Sequence, residues 1–303
     1  MTQGNVIGRF APSPSGPLHF GSLVTAVASY CHSKSQRGQW LVRIEDVDTP
    51  RVVKGATSQI LTSLEAYGFE WDGDVLYQSS RFKHYESKLV ELLDQHVCYA
   101  CECSRRSLRE KGINSGLMGQ IYPGICRKKN LTSHDHSIRL NTESAHNSQF
   151  NDLVYGAIKL NLKKQVGDFI LKRVDGIYAY HLAVILDDDS QNINQIVRGA
   201  DLLLSTCLHL YLQQQFKLST PQYLHLPLIK NSDGKKLSKQ TGAEAIDNSH
   251  PSATLISALK CLNQPTQSSW LNLKPSEILQ QATQKWDHKL IKPETDIDAH
   301  EPS

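Results

Sequence analysis

The stretch RFAPSPSGPLHFGSL, Arg9 to Leu23, lies between a short apolar strand (Val6 to Ala11) and an apolar helix that opens at Gly21. Pro12, Pro14 and Pro17 restrict φ and stiffen the turn, while Gly16 and Gly21 let a ligand come close to the backbone. A strand that ends in a tight turn and feeds a helix presents backbone N–H groups and a positive dipole end, where phosphates bind. His19 stands beside that turn, able to donate to a phosphate oxygen. The same segment also reads as a rigid corner with a surface histidine, and taken alone it leaves both readings open.

Working outward, Trp40 to Glu45 reads as a second strand. Val53, Ala56, Ile60, Leu61, Leu64 and Tyr67 recur near the helical spacing. Strand, helix, strand, helix predicts a Rossmann-like parallel sheet with right-handed crossovers, an α/β nucleotide-binding layout. From Cys98 the pattern changes to cysteines, basic residues (Arg127, Lys128, Lys129) and a polar loop, Asn130 to Asn151. Strand-like apolar runs return at Phe169 to Val174 and Tyr178 to Leu186. A helix follows over Leu202 to Phe216, then a strand over Tyr223 to Ile229. Two C-terminal helices are expected, Ser252 to Leu262 and Ser276 to Trp286, and the last stretch, KPETDIDAHEPS, reads as disordered. The expected division is 1–97 and 169–245 as two halves of one catalytic domain, 98–168 as an insertion, and 246–303 as a short helical region.

The chain has 303 residues, 39% apolar and 21% charged, ordinary values for a soluble globular protein. Its apolar runs fall far short of the roughly 20 residues that span a bilayer. The N-terminal MTQGNVIGRF lacks the pattern of a secretion signal, and a soluble cytoplasmic protein is expected. A formal charge of +3 permits a polyanionic partner without demanding one. Seven cysteines, an odd number, argue against a disulfide framework; Cys98, Cys101, Cys103 and Cys126 cluster as reduced thiols or metal ligands do.

Gly234 to Gln240 places three lysines, Lys235, Lys236 and Lys239, on a glycine-containing loop, a cationic lid suited to a triphosphate. PLHFGS (Pro17 to Ser22) together with KLSKQ (Lys236 to Gln240) resembles the two signature motifs of the class I aminoacyl-tRNA synthetases. LVRIEDVDTPR (from Leu41), DGIYAYHLAVILDD (from Asp175) and IVRGADLL (from Ile196) extend the resemblance to the glutamyl branch, in the same order. It covers Arg9 to Gln240. Only residues 240–303 follow Lys239, where a full glutamyl-tRNA synthetase carries a large anticodon-binding region. The chain therefore resembles the truncated paralogues, the glutamyl-Q tRNA(Asp) synthetases.

The resemblance implies ATP-dependent activation of L-glutamate without tRNA, then transfer to the queuosine base at the wobble position of tRNA(Asp). ATP is used with Mg, and a monomer is expected. His19, Gly21 and Lys239 take the catalytic positions, and Pro12, Ser22, Lys236 and Ser238 join them around ATP. Arg9, Phe10, Ala11, Pro12 and Ser13 line one side of the glutamate pocket, with Glu45 for the α-ammonium group and Tyr180 and Arg198 from the second half. A buried arginine fork matches a carboxylate and rejects a neutral amide; an internal Arg9–Glu45 pair is the purely structural alternative. The relatives also place one structural zinc on a Cys, Cys, Tyr, Cys set, which implies Cys101, Cys103, Tyr122 and Cys126, the last two in IYPGICR. Cys98 competes as the fourth donor, and ordinary reduced cysteines without metal are the alternative. His134 and His136 read as a solvated loop. Two rival functions stay open: a short synthetase charging tRNA(Glu), and a zinc-stabilised tRNA-binding module with a dead active site.

Overall fold

The chain begins with β1 (Ile7–Phe10), α1 (Phe20–Lys34), β2 (Gln39–Ile44), α2 (Ala56–Ala66) and β3 (Leu76–Tyr77). The structure, a computed structural model, describes residues 5–116, 118–145, 147–230, 244–293 and 296–298. After α3 (Phe82–Asp94) come β4 (Cys98–Cys101), α4 (Arg105–Glu110), β5 (Ser115–Gly116), β6 (Gly119–Gln120), β7 (Ser137–Leu140), β8 (Asn147–Asp152), β9 (Gly156–Asn161), α5 (Leu162–Gln165) and β10 (Phe169–Lys172). The chain then forms α6 (Tyr180–Ser190), β11 (Gln195–Gly199), α7 (Ser205–Phe216), β12 (Gln222–Leu226) and β13 (Leu228–Lys230). It ends with α8 (Pro251–Cys261), α9 (Pro275–Gln284) and β14 (Asp296–Asp298).

The main sheet has the order β12-β11-β1-β2-β3, and every adjacent pair is parallel. The chain leaves β1 toward β2 on one side and returns as β11 on the other. The crevice outside the carboxyl ends of β1 and β11 is thus a topological switch point, the place where open α/β sheets bind ligands. α1 fills the space beside β1 with Leu23, Val24, Val27 and Cys31, all buried, and also packs against α8 and α9. Gly8 makes this close approach possible: a Cβ there would lie 2.0 Å from Ser33 Oγ. A second core gathers residues of α3, α6 and α7 under the antiparallel sheet β10-β7-β4.

The structure departs from the sequence reading in four places. Tyr178 to Leu186, read as strand-like, is mostly the helix α6; Leu182 through Asp188 are all buried. A helix apolar on all sides has no amphipathic period, so its pattern cannot be told from that of a buried strand. The polar loop from Asn130 contains β7 and β8, short strands whose polar side chains hid them. In the tail read as disordered, β14 pairs in parallel with β13. The strand Tyr223 to Ile229 is divided at Pro227 into β12 and β13.

Candidate active site

The turn after β1 is pinned to its neighbours rather than left as a loop. Glu45 N–H donates to Pro12 O (3.0 Å) and Val53 N–H to Pro14 O (2.9 Å), while Gly16 holds φ at 146°, a value an L side chain rarely adopts. His19 caps α1: its Nδ1 accepts the Ser22 N–H at 3.3 Å, and its Nε2 lies 3.0 Å from Ser22 Oγ. Its backbone pairs with Ala245, and Ile246 N–H donates to Leu18 O at 2.9 Å. Beside this N-terminus opens a cleft of about 210 Å³, lined by His19, Gly21 and Ser22 and walled by Gly199, Asp201 and Leu226 through Ile229. A helix N-terminus on one wall and apolar side chains on the other suit a nucleotide. Lys236, Ser238 and Lys239 lie outside the described residues; Lys230 and Ala245 flank their segment, one next to the cleft wall and the other paired with His19.

A second cavity, about 170 Å³, lies across the turn and is lined by Ser13, Glu45, Gln78 and Tyr180 among others. Behind it sits a buried ion cluster. Asp188 Oδ1 receives Arg9 Nε (3.0 Å) and Arg43 Nη2 (2.7 Å), and Arg43 Nη2 also stands 3.5 Å from Glu45 Oε1. Burial alone would raise the Asp188 carboxyl, but Arg43 and Arg9 outweigh it and hold it below the usual carboxylate range. For Glu45 burial wins over the same two arginines, and its carboxyl is pushed up. Arg9 therefore takes Asp188 as its ion-pair partner, in place of the Glu45 pair offered as the structural alternative.

Arg198 meets a different environment. It is 5% exposed, at the carboxyl end of β11, and among the described residues its guanidinium makes no ion pair with a carboxylate. Its Nη1 lies 3.3 Å from Tyr180 Oη, its Nη2 donates to Thr206 Oγ1 (2.7 Å), and its Nε donates to His225 Nε2 (3.1 Å). His209 Nδ1 is 3.3 Å from both terminal nitrogens. Burial, then the charge of Arg198, holds the His209 imidazole well below its ordinary value and brings His181 down to about 4. Burial likewise lifts the Tyr180 phenol to about 12. The result is a buried cation solvated by neutral acceptors, next to a cavity that also holds Glu45.

Arg9, Ser13, Glu45, Tyr180 and Arg198 are thus brought together. Ala11 is half-buried and Pro12 buried in the turn, while the Phe10 side chain belongs to the core, stacked on Trp40, leaving its backbone to the site. Arg43, Asp188, Thr206, His209 and His225 were not anticipated. Only the acidic run at the end of the apolar stretch hinted at Asp188; the others look like ordinary core or surface positions until the strands align. A roomier cleft, about 700 Å³ between β8 and α7, is lined by no charged side chain among the described residues and offers a triphosphate little.

The thiols form a separate centre. Cys101, Cys103 and Cys126 keep their sulfurs within 4.8 Å of one another, and Cys103 and Cys126 are 3.6 Å apart. Tetrahedral zinc with bonds of about 2.3 Å would space its sulfurs roughly 3.8 Å apart. Tyr122 Oη lies 3.2 Å from Cys101 Sγ and 3.5 Å from Cys103 Sγ, so four donor atoms converge in a set that fits zinc. Burial raises the Cys101 thiol, but hydrogen bonds and the Arg139 guanidinium outweigh it and bring it below its ordinary value. Gly167, at φ 71°, packs against the Tyr122 backbone so closely that a Cβ would come within 2.3 Å of it. Cys98, the competing donor, instead packs in the α6–α7 core, where burial pushes its thiol up to about 12. Exposed His134 and half-buried His136 lie outside the cluster.

Comparison with known proteins agrees with this geometry. The family model described as tRNA synthetases class I (E and Q), catalytic domain, matches residues 5–254. A protein named glutamyl-Q tRNA(Asp) synthetase from Shewanella oneidensis is 50% identical over 264 residues, 87% of this chain and 86% of that one. One of the same name from Idiomarina loihiensis is 47% identical over 93% of this chain and 97% of its own. Among solved structures, the glutamate-tRNA synthetase of Elizabethkingia anophelis superposes with a TM-score of 0.79 at 24% identity. It covers 95% of this chain and 67% of that one. A glutamate tRNA ligase from Elizabethkingia meningosepticum, in complex with its amino acid, gives 0.81 at 23%, covering 98% and 67%. These two likenesses establish the fold. No helix among the described residues is long and apolar enough to cross a membrane. A parallel sheet with its ligand edge at β1 and β11, a capped α1 and relatives matched over most of their length make this chain a ligase of the class I tRNA synthetases (E and Q), in the glutamyl-Q tRNA(Asp) synthetase family.

Proposed function

We propose that this ligase activates L-glutamate with ATP, without tRNA, and transfers the glutamyl group to queuosine at the wobble position of tRNA(Asp). The observation that carries the reading is Arg198, a buried guanidinium among neutral acceptors beside the cavity of Glu45 and Tyr180. A buried cation without an anionic partner is costly, and a ligand carboxylate supplies the partner. A glutamine amide would leave the charge unmatched, which sets the amino-acid choice. Glu45 supplies the opposite charge at the far side, for the α-ammonium group.

In the first step an oxygen of the glutamate α-carboxylate attacks the α-phosphorus of ATP, taken as its magnesium complex, and pyrophosphate leaves. His19 at the N-terminus of α1 and Lys239 stabilise charge that grows on the leaving phosphates. Gly21 and Pro12 keep the wall close, with Ser22, Lys236 and Ser238 around the nucleotide. In the second step a queuosine hydroxyl attacks the acyl carbon, AMP leaves, and an ester forms. Cys101, Cys103, Tyr122 and Cys126 would hold one zinc ion, whose closed four-donor shell supplies structure.

Transfer of labelled glutamate to tRNA(Asp) with and without queuosine, beside tRNA(Glu), tests the reading. Labelling only of the queuosine-bearing tRNA(Asp) is expected. Labelling of tRNA(Glu) would replace it with the short tRNA(Glu)-charging synthetase, and no activation at all would favour a dead binding module.

A further inference from the structure

Arg198 is held by more than its own strand. In the parallel pair β11–β12 it lies directly across from His225, which is fully buried. Behind His225 stands Asp152, the last residue of β8, 1% exposed. Its carboxylate accepts His225 Nδ1 at 2.6 Å and the His225 backbone N–H at 3.1 Å. It also accepts the backbone N–H groups of Val154 and Tyr155, both at 3.0 Å.

These contacts decide the tautomer. An ionised carboxylate only accepts hydrogen bonds, so the proton of His225 sits on Nδ1. Nε2 is then bare and can accept, and it faces Arg198 Nε–H at 3.1 Å. Thr206 Oγ1 completes the clamp, receiving Arg198 Nη2 at 2.7 Å and lying 3.3 Å from Leu202 O. With Nε and Nη2 engaged, Nη1 is the nitrogen nearest Tyr180. Burial opposes ionisation of Asp152, yet the His225 hydrogen bond and backbone amides outweigh it and keep the carboxyl below its usual range. Asp152 is one imidazole removed from the guanidinium, so it orients Arg198 without pairing with its charge.

We propose that Asp152 and His225 form a positioning relay that aims the Arg198 fork and thereby sets the preference for glutamate over glutamine. The proposal rests on the assignment of Arg198 to the amino-acid pocket. Neither relay residue touches substrate; both act through Arg198.

Asp152→Asn tests it. The amide oxygen can keep the Val154 and Tyr155 backbone N–H groups, but its NH₂ then faces His225 Nδ1 and drives the proton to Nε2. That N–H would point at the Arg198 N–H, donor against donor. In glutamate-dependent pyrophosphate exchange the KM for glutamate is expected to rise about tenfold to a hundredfold. The KM for ATP should stay within about twofold, and the glutamate-to-glutamine ratio should fall. A merely structural role would move both KM values or only the melting temperature. Nitrogen-15 NMR of histidine-labelled wild-type protein gives a readout independent of activity, with the His225 proton expected on Nδ1. Should Asp152→Asn fail to fold, His225→Gln, which can donate to Asp152 and accept from Arg198, should retain more glutamate preference than His225→Leu. A wild-type proton on Nε2, or a folded Asp152→Asn with unchanged glutamate KM and preference, would overturn the relay. Absence of exchange in the wild type would sink the pocket assignment instead, and the tautomer measurement would still judge the relay.

Discussion

Two buried cationic regions contact the wall of one cavity, one through Glu45 and the other through Tyr180, and are built on opposite terms. Around Arg9 and Arg43 the fold provides its own anions, with Asp188 shared between the two guanidinium groups and Glu45 close by. Around Arg198, among the described residues, it provides a phenol, a threonine hydroxyl, imidazoles and a backbone carbonyl, and no carboxylate. In the first arrangement each guanidinium already has a carboxylate partner within the fold. The second leaves a charge to be answered from outside, at a cost in stability that function explains. Internal neutralisation therefore separates scaffold from site better than burial or residue type does.

The largest effect should come from breaking the unpaired side. Arg198→Leu is expected to lower glutamate-dependent exchange about 10²- to 10³-fold with a smaller loss of stability than Asp188→Ala, because it strands no buried charge, only the neutral acceptors of His225, Thr206 and His209. Asp188→Ala breaks the paired side and should do the reverse in kind. It leaves two buried guanidinium groups short of a carboxylate, costing about 3–5 kcal/mol in denaturant unfolding. The acid limb sharpens the same contrast. Asp188 is depressed by Arg43 and Arg9, so its stabilisation is whole above about pH 4 and fades as pH falls through the folded value. Stability measured from pH 6 downward should drop less steeply in Asp188→Asn than in the wild type.

How far the sequence reaches obeys the same division. The β1–α1 turn could be read from its prolines, glycines and flanking apolar runs, because those residues impose backbone geometry locally. Arg198 could be placed by resemblance in the motif around it. Its surroundings could not, since Tyr180, Thr206, His209 and His225 meet it only after β11, β12, α6 and α7 have packed. Arg9 shows the limit well: the nearby Glu45 was the natural partner in sequence, yet Asp188, on a helix read as strand-like, takes the contact. The α6 misreading and the missed Asp188 pairing thus have one cause, a segment buried on every side.

The thiol centre is the mirror case, a group of acceptors gathered beside one cation, Arg139. Cys126→Ser should lower zinc content, measured as metal per chain, from about one toward zero, with a smaller loss in exchange than Arg198→Leu. Cys98→Ala, in the other core, should leave metal content unchanged and cost about 1 kcal/mol.

The central claim is that the charge of Arg198 awaits the side-chain carboxylate of glutamate. Pyrophosphate exchange by the wild-type protein, without tRNA and with glutamate or glutamine as the only amino acid, tests it most directly. Exchange with glutamate is expected, and at least about a hundredfold less with glutamine. Equal exchange with both would contradict it.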